Sequence, residues 1–479
     1  MGRASDMTST VAKPTDLYLA AEEKRALPRA LMGGTEAMRK AGKAFLPQEA
    51  AESEPAYNDR LNRTFLFNGY RKTVRDMSGK VFTKPVQMGE DVPANLKAAA
   101  ENIDLTGQGL NNFAYSVFEA GMNDGIAYIL VEMPPAQEGA TRKDDIDSGR
   151  RPYLVLIESC ALIGFKSRVI AGHHVLTQVR ILETVAEDDP KDEFGQVEFQ
   201  QVRVFDRKDD GVTFRVYRLQ KIEGKEEWVL TEEGVTSLKD ITLVPFYANR
   251  TSFMMGEPPL EDLAYLNLAH WQSSSDQRNI LHVARVPILL AKGVGENDKF
   301  VVGANSFVRM ANAESDLKYV EHSGKAIESG SNDLEDLEFQ MQTQGLELLT
   351  PKPGSQTATG EAIDQAKMNS PLAMMADNLK DALEQAFGYM AQYEGLGEDA
   401  GGSITVNTDF GITMRDATDL TTLLAAVNAG QISRETFIKE LIRRGVLMDT
   451  SVDDEVERID NDAEALGLIK PEDSNANSE

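Results

Sequence analysis

The residues able to do chemistry are few and badly spaced for it. His173 and His174 are neighbours, which would point them to opposite faces of a strand, while His270 and His282 share a stretch with helical spacing and His322 stands apart. None has a metal-ligand partner at ligand spacing. The Gly-Lys pair in SGKAIES resembles half of a phosphate-binding loop, but the glycine needed upstream is Tyr319. Paired carboxylates such as Asp188 with Asp189 and Asp453 with Asp454 fall in polar turns and tails, where solvation accounts for them better than acid–base catalysis. Cys160 is the single cysteine, so it reads as a small apolar residue, and neither an internal disulfide nor a clustered thiolate site can form. One cation, Lys352, stands alone in the loop TPKPGSQTAT, where it fits either a sliding phosphate contact or an ordinary surface lysine. No catalytic residue, metal ligand or cofactor site is therefore expected.

With 479 residues and 41% hydrophobic composition the chain has room for about two to four domains with real cores. No window has the apolar length of a membrane span and the N-terminus lacks a signal-peptide layout, so a soluble, cytoplasmically made protein is expected. Acids outnumber bases by 77 to 50, a formal charge of −27 that disfavours a tight grip on a nucleic-acid backbone. Such a surplus serves solubility, or a surface that lies near a polyanion without sticking to it.

The expected elements follow from periodicity. Residues 1–55 read as an irregular arm in which only LPRALMGGTEAMRKAGKAFLPQ looks ordered, and Tyr57 to Gly79 as one approximate helical stripe through Leu61, Phe65, Phe67, Val74 and Met77. Phe113, Val117 and Ala120 share a helical face ahead of a buried strand at Ile126 to Val131. The alternation in VEFQQVRVF and VTFRVYRL predicts an antiparallel meander with one wet face. A long helix, Pro259 to Val286, has apolar ends and a polar middle from His270 to Asn279. A second helix starts at Asn332, with Glu335 at the capping-box position, and lines up Leu334, Leu337, Met341 and Leu348. Between the two lie short strands. Ser370 and Pro371 start a strongly periodic helix, ITVNTDF reads as a lone strand, and a helical hairpin turning at Gly430 precedes an acidic tail.

A long helix out, a small β module and a helix back describe a stalk with a cap. A polar midsection suits a stalk wetted on most sides, and a stalk of two helices alone would be marginal, which argues for a ring of copies. By the same logic Leu337→Glu or Met341→Glu should harm assembly more than folding, since that stripe has little in its own chain to bury against.

The order of NRTFLFNGYRKTVRDMSGKVFTKP, RPYLVLIE, ATGEAIDQAKMNSPLAMMADNLKDALEQAF and AGQISRETFIKELIRRGVL resembles the portal proteins of tailed bacteriophages over most of residues 57–448. That resemblance implies an α+β portal fold. Residues 1–55 would be an N-terminal arm, 56–256 the wing (α/β, then β-rich), 257–286 the first stem helix, 287–330 the clip and 331–349 the second stem helix. Residues 350–358 would be the loop facing the DNA channel, including Pro351, Lys352, Pro353, Gly354, Ser355 and Gln356. The wing helix and strand would occupy 359–412, with the helix kinked at Pro371, and the crown and acidic tail 413–479. Stem packing would fall to Leu334, Leu337, Met341, Leu348 and Trp271. The implied function is structural, not enzymatic: a ring, usually of twelve subunits, at one capsid vertex, through which double-stranded DNA passes non-specifically. The implied partners are other copies of the chain, the major capsid protein, the terminase large subunit as motor and the head-to-tail adaptor; no membrane is implied. Its place would be the virion, and the host cytoplasm during assembly. The alternatives are a carboxylate-dependent metal hydrolase, suggested only by acidity, or another capsid or baseplate component.

Overall fold

The computed structural model describes residues 10–134, 149–209, 211–285, 288–292, 316–320, 324–346, 370–397, 400–410, 424–427, 429–443, 447, 452, 454–456 and 458–459. The chain divides into two units, Met1–Phe410 and Gly411–Glu479. Helices and strands are both abundant, so the class is α+β.

From residue 10 onward the N-terminal segment is structured well beyond the one stretch expected to be ordered in it. Thr15 caps a 26-residue helix, α1 (Asp16–Ala41), by accepting from the Tyr18 amide. Leu27, Leu31 and Met38 bury one face of it. Pro28 and the kink at Gly34 (φ 78°) interrupt the pattern along the sequence, and burial against the rest of the fold outweighs their cost. The stripe expected over Tyr57 to Gly79 is in fact two helices. Ser53 and Pro55 start α2 (Glu54–Arg63), Asn68 caps α3 (Gly69–Val81), and the segment between them leaves Phe65 and Phe67 exposed instead of in the core.

Strand β1 (Gln87–Met88) pairs with a distant strand, β14 (Ile404–Thr405), so the ITVNTDF segment is not a lone strand. After α4 (Ala94–Ala99), helix α5 (Leu110–Asp124) ends at Gly125, whose φ of 83° admits glycine readily. It leads into β2 (Ile126–Glu132), the centre of an antiparallel three-stranded sheet between β3 (Tyr153–Ile157) and β9 (Leu243–Tyr247). Ala127, Ile129 and Val131 join the helical core, while Ile126, Tyr128 and Leu130 join a second core under the meander. A strand buried on both faces reads as the continuous apolar run IAYILV.

The meander forms as expected: β4 (Leu162–Ile170), β5 (His173–Asp188), β6 (Gln196–Lys208), β7 (Gly211–Ile222) and β8 (Lys225–Val235) pair in sequence order. A small pair, β10 (Arg250–Ser252) and β11 (Met255–Gly256), then delivers the chain to α6 (Glu261–Ala284). Strands β12 (Ile288–Lys292) and β13 (Asp316–Val320) pair antiparallel before α7 (Lys325–Leu346) returns. Helix α8 (Pro371–Tyr393), capped by Ser370 as its sequence suggests, buries Leu372, Leu379, Leu383 and Phe387 among others. In the second unit Ser433 accepts from the Thr436 amide at the start of α9 (Arg434–Arg443). No described helix is long and apolar enough to cross a membrane.

Candidate functional site: the paired long helices

At 24 residues, α6 is roughly 36 Å long, and Glu261 and Asp262 in its first turn complement the positive end of its dipole. Its root is tightly built. A Cβ on Gly125 would stand 2.1 Å from the Glu257 carbonyl oxygen, and the buried Arg25 donates to the carbonyls of Asp124 and Gly256 at 3.0 and 2.8 Å. The end of α5, the start of β2 and the approach to α6 are thereby locked to α1.

The polar midsection is not wetted as expected. Asn267, His270, Trp271, Ser274, Ser275 and Gln277 are all buried. For Asn267, His270, Ser275 and Gln277 the reason is visible in their partners, which are backbone groups and polar side chains that an apolar face would leave unsatisfied. Asn267 accepts from the Tyr70 amide at 2.9 Å and donates to the Phe67 carbonyl at 2.8 Å, so one side chain serves an orphan amide at the start of α3. Gln272 donates to the Phe45 carbonyl at 3.0 Å. Ser275 receives bonds from Thr64 Oγ1 (2.9 Å) and Arg60 Nη1 (3.3 Å). Toward the return helix, Gln277 donates to the Ile327 carbonyl, Ser273 to Asp333, and His270 Nε2 lies 3.3 Å from Glu338 Oε1.

Helix α7 starts seven residues earlier than Asn332 and passes straight through Ser329-Gly330-Ser331. A Cβ on Gly330 would meet Gln277 Oε1 at 2.2 Å, so glycine there marks the close approach of the two helices.

Trp271 is fully buried and Met341 is 3% exposed, both in the main core, whereas Leu334 and Leu337 are half-buried. Met341 reaches Gly69 at the start of α3, so it does have a core of its own chain to join, unlike the expectation made for it. Leu348, Pro351, Lys352, Pro353, Gly354, Ser355 and Gln356 lie outside the described residues. Burial lowers the tendency of His270 to take a proton, more than its contact with Glu338 raises it, and among the described residues its Nδ1 and the Trp271 indole nitrogen have no hydrogen-bond partner.

Sequence spacing did not bring α2 into this region. Beyond Trp271 and Ser275 the same helical stripe continues as Arg278, His282 and Arg285, and Arg60 and Arg63 of α2 form the facing wall of a cleft of about 270 Å³. Arg60 is already engaged, bidentate to Glu52 at 2.8 Å and donating to the Pro47 carbonyl at 2.8 Å. The Arg278 guanidinium lies 3.8 Å from the centre of the Phe65 ring. On another side of the pair, a groove of about 540 Å³ runs beside Tyr265 and Phe339, which are 56% and 70% exposed.

Elsewhere the titratable groups serve structure. Arg203 bridges Glu132 and Glu183 between the sheets, and Arg29 bridges Glu22 and Asp124. Burial pushes the Cys160 thiol up to about 11, leaving little reactive thiolate at neutral pH. Among the described residues no three His, Cys, Asp or Glu side chains are grouped to hold a metal ion.

A family described as a domain of unknown function (DUF4055) matches residues 259–394, which contain both long helices, the strand pair between them and α8. No curated protein sequence matches the chain. Among solved structures, a chain of the virion of a native gene transfer agent particle is 13% identical, with 86% of this chain and 93% of that one covered at a TM-score of 0.42. A chain from the neck of an empty particle, computed with C6 symmetry, is 13% identical over 79% and 89% at 0.40. One from the neck of a native particle, computed with C12 symmetry, is 12% identical over 86% and 93% at 0.41. TM-scores this low do not establish a shared fold.

Proposed function

We propose that this chain is the subunit of a portal ring, a non-enzymatic channel at one capsid vertex through which double-stranded DNA is driven in by a separate motor and later released. The observation that carries the reading is the pair α6 and α7, a long helix out and a long helix back with a paired strand module between their ends. The order of the four sequence stretches that resemble those of portal proteins also supports it. So does the charge of −27 per chain, since twelve copies would carry roughly −320, a wall that centres DNA instead of gripping it, with screening over about 8 Å at physiological salt. In this role the terminase motor and then the head-to-tail adaptor dock on the strand module, and the capsid protein meets the outer α/β mass.

Native mass spectrometry of the purified protein, paired with negative-stain images, tests the assignment. The expected result is a closed particle near twelve times 52.7 kDa with a stain-filled centre. A species that stays monomeric at micromolar concentration across salt and pH overturns it.

A further inference from the structure

We infer that the basic cleft between α2 and α6 is the receptor for the acidic outer stripe of α7 from a second copy of this chain. The inference rests on the ring reading and deepens it by naming the seam through which neighbours join. Three observations lead there.

The cleft is a concentration of cations on an acidic protein. Arg63, Arg278, His282 and Arg285 are exposed, and among the described residues Arg278, His282 and Arg285 have no carboxylate partner. The α7 stripe is its complement. Glu328 and Glu335 are exposed and likewise have no ion-pair partner among the described residues, and Phe339 continues their face one turn further on.

The two surfaces lie on opposed flanks of one protomer. On α6, Gln277 bonds to α7, whereas Asn279, two residues on and so about 200° around the helix, receives a bond from Arg63 of α2. On α7, Gly330 faces α6 and Glu328 is two residues away, just as Asp333 faces Ser273 and Glu335 is two residues away. Opposed complementary flanks make a head-to-tail contact, the kind that closes a ring when the rotation is right.

They meet in height at Glu328, since the bonds from Ser273 to Asp333 and between His270 and Glu338 set Glu335 and Phe339 lower along the pair, level with Trp271. The bond from Gln277 to Ile327 sets Glu328 level with Arg278. Rotation about an axis along the stalk leaves heights unchanged, so Glu328 of one copy arrives beside Arg278 and Arg63 of the next. Phe65, half-exposed beneath Arg278, adds apolar surface on the cleft side.

A charge-swap experiment on the full chain decides the matter. Glu328→Lys with Glu335→Lys, and separately Arg63→Glu with Arg278→Glu, are expected to keep wild-type circular dichroism and to raise the concentration for half-assembly by about a hundredfold, because like charges then face each other. Mixing the two variants in equal amounts is expected to restore rings with alternating subunits, since each supplies what the other lacks. If wild-type protein forms rings and neither variant weakens them, or mixing gives no rescue, this seam is wrong while the ring reading stands. Intact variant rings that lose only their retention on double-stranded DNA would assign the cleft to nucleic acid and overturn the inference. If the wild-type chain itself stays monomeric, the ring reading fails first.

Discussion

His270 illustrates how a polar residue can be specified by helix packing. Its side chain is about 5% exposed, its ring lies against Phe67 and one nitrogen faces Glu338, so burial favours the neutral imidazole despite the carboxylate. The unfolded chain then binds more protons than the folded one as pH falls below the ordinary histidine value of 6.5, and stability rises with pH through that window. Thermal unfolding should show stability declining from pH 7 toward the depressed folded value, and His270→Gln should flatten that part of the profile. A second test at this scale concerns Gly125. Because φ is 83° and a Cβ would sit 2.1 Å from the Glu257 oxygen, Gly125→Ala should cost about 3 kcal/mol or more in denaturant unfolding. The sequence did not single out Gly125, since the oxygen that excludes its Cβ lies more than a hundred residues away in the chain.

At the scale of elements, legibility followed whether a segment's partners were implicit in its own pattern. The meander strands alternate, α8 announces its start through Ser370 and Pro371, and β2 is an apolar run, so each was readable. Helix α1 and the middle of α6 were not, because Pro28, the Gly33–Gly34 pair and the run of serines and glutamines are explained only by what packs on them. Arg60 ties this seam together: buried, it binds both oxygens of Glu52, the Pro47 carbonyl and Ser275. Arg60→Ala should therefore cost about 1.5–3 kcal/mol, as expected when hydrogen bonds to a partly exposed carboxylate and a buried carbonyl are lost, and urea unfolding would measure it. The same packing revises the expectation for α7. Met341→Glu should now lower the melting temperature of the isolated protomer, because Met341 is in the main core, whereas Phe339→Glu on the exposed stripe should leave melting unchanged and weaken assembly. Equal melting temperatures for the two variants would refute that division.

For the whole molecule, the sequence disclosed the sign of the surface charge and the helix–strand–helix order, but not that the N-terminal helices form the bed on which α6 lies. That dependence sets what can be removed. The described residues of all three buried clusters come from before residue 411, and α1 contributes Leu27, Leu31 and Met38 to the largest of them. Deleting residues 1–44 should thus expose the buried faces of α3 and α5 and yield aggregated protein. Ending the chain at Phe410 should instead leave a folded unit whose thermal midpoint stays within about 2 °C of the full chain, because no apolar burial in those clusters is forfeited. Circular dichroism melts of both truncations check the pair. A drop of ten degrees or more on removing residues 411–479 would mean that the C-terminal unit contributes to the stability of the first.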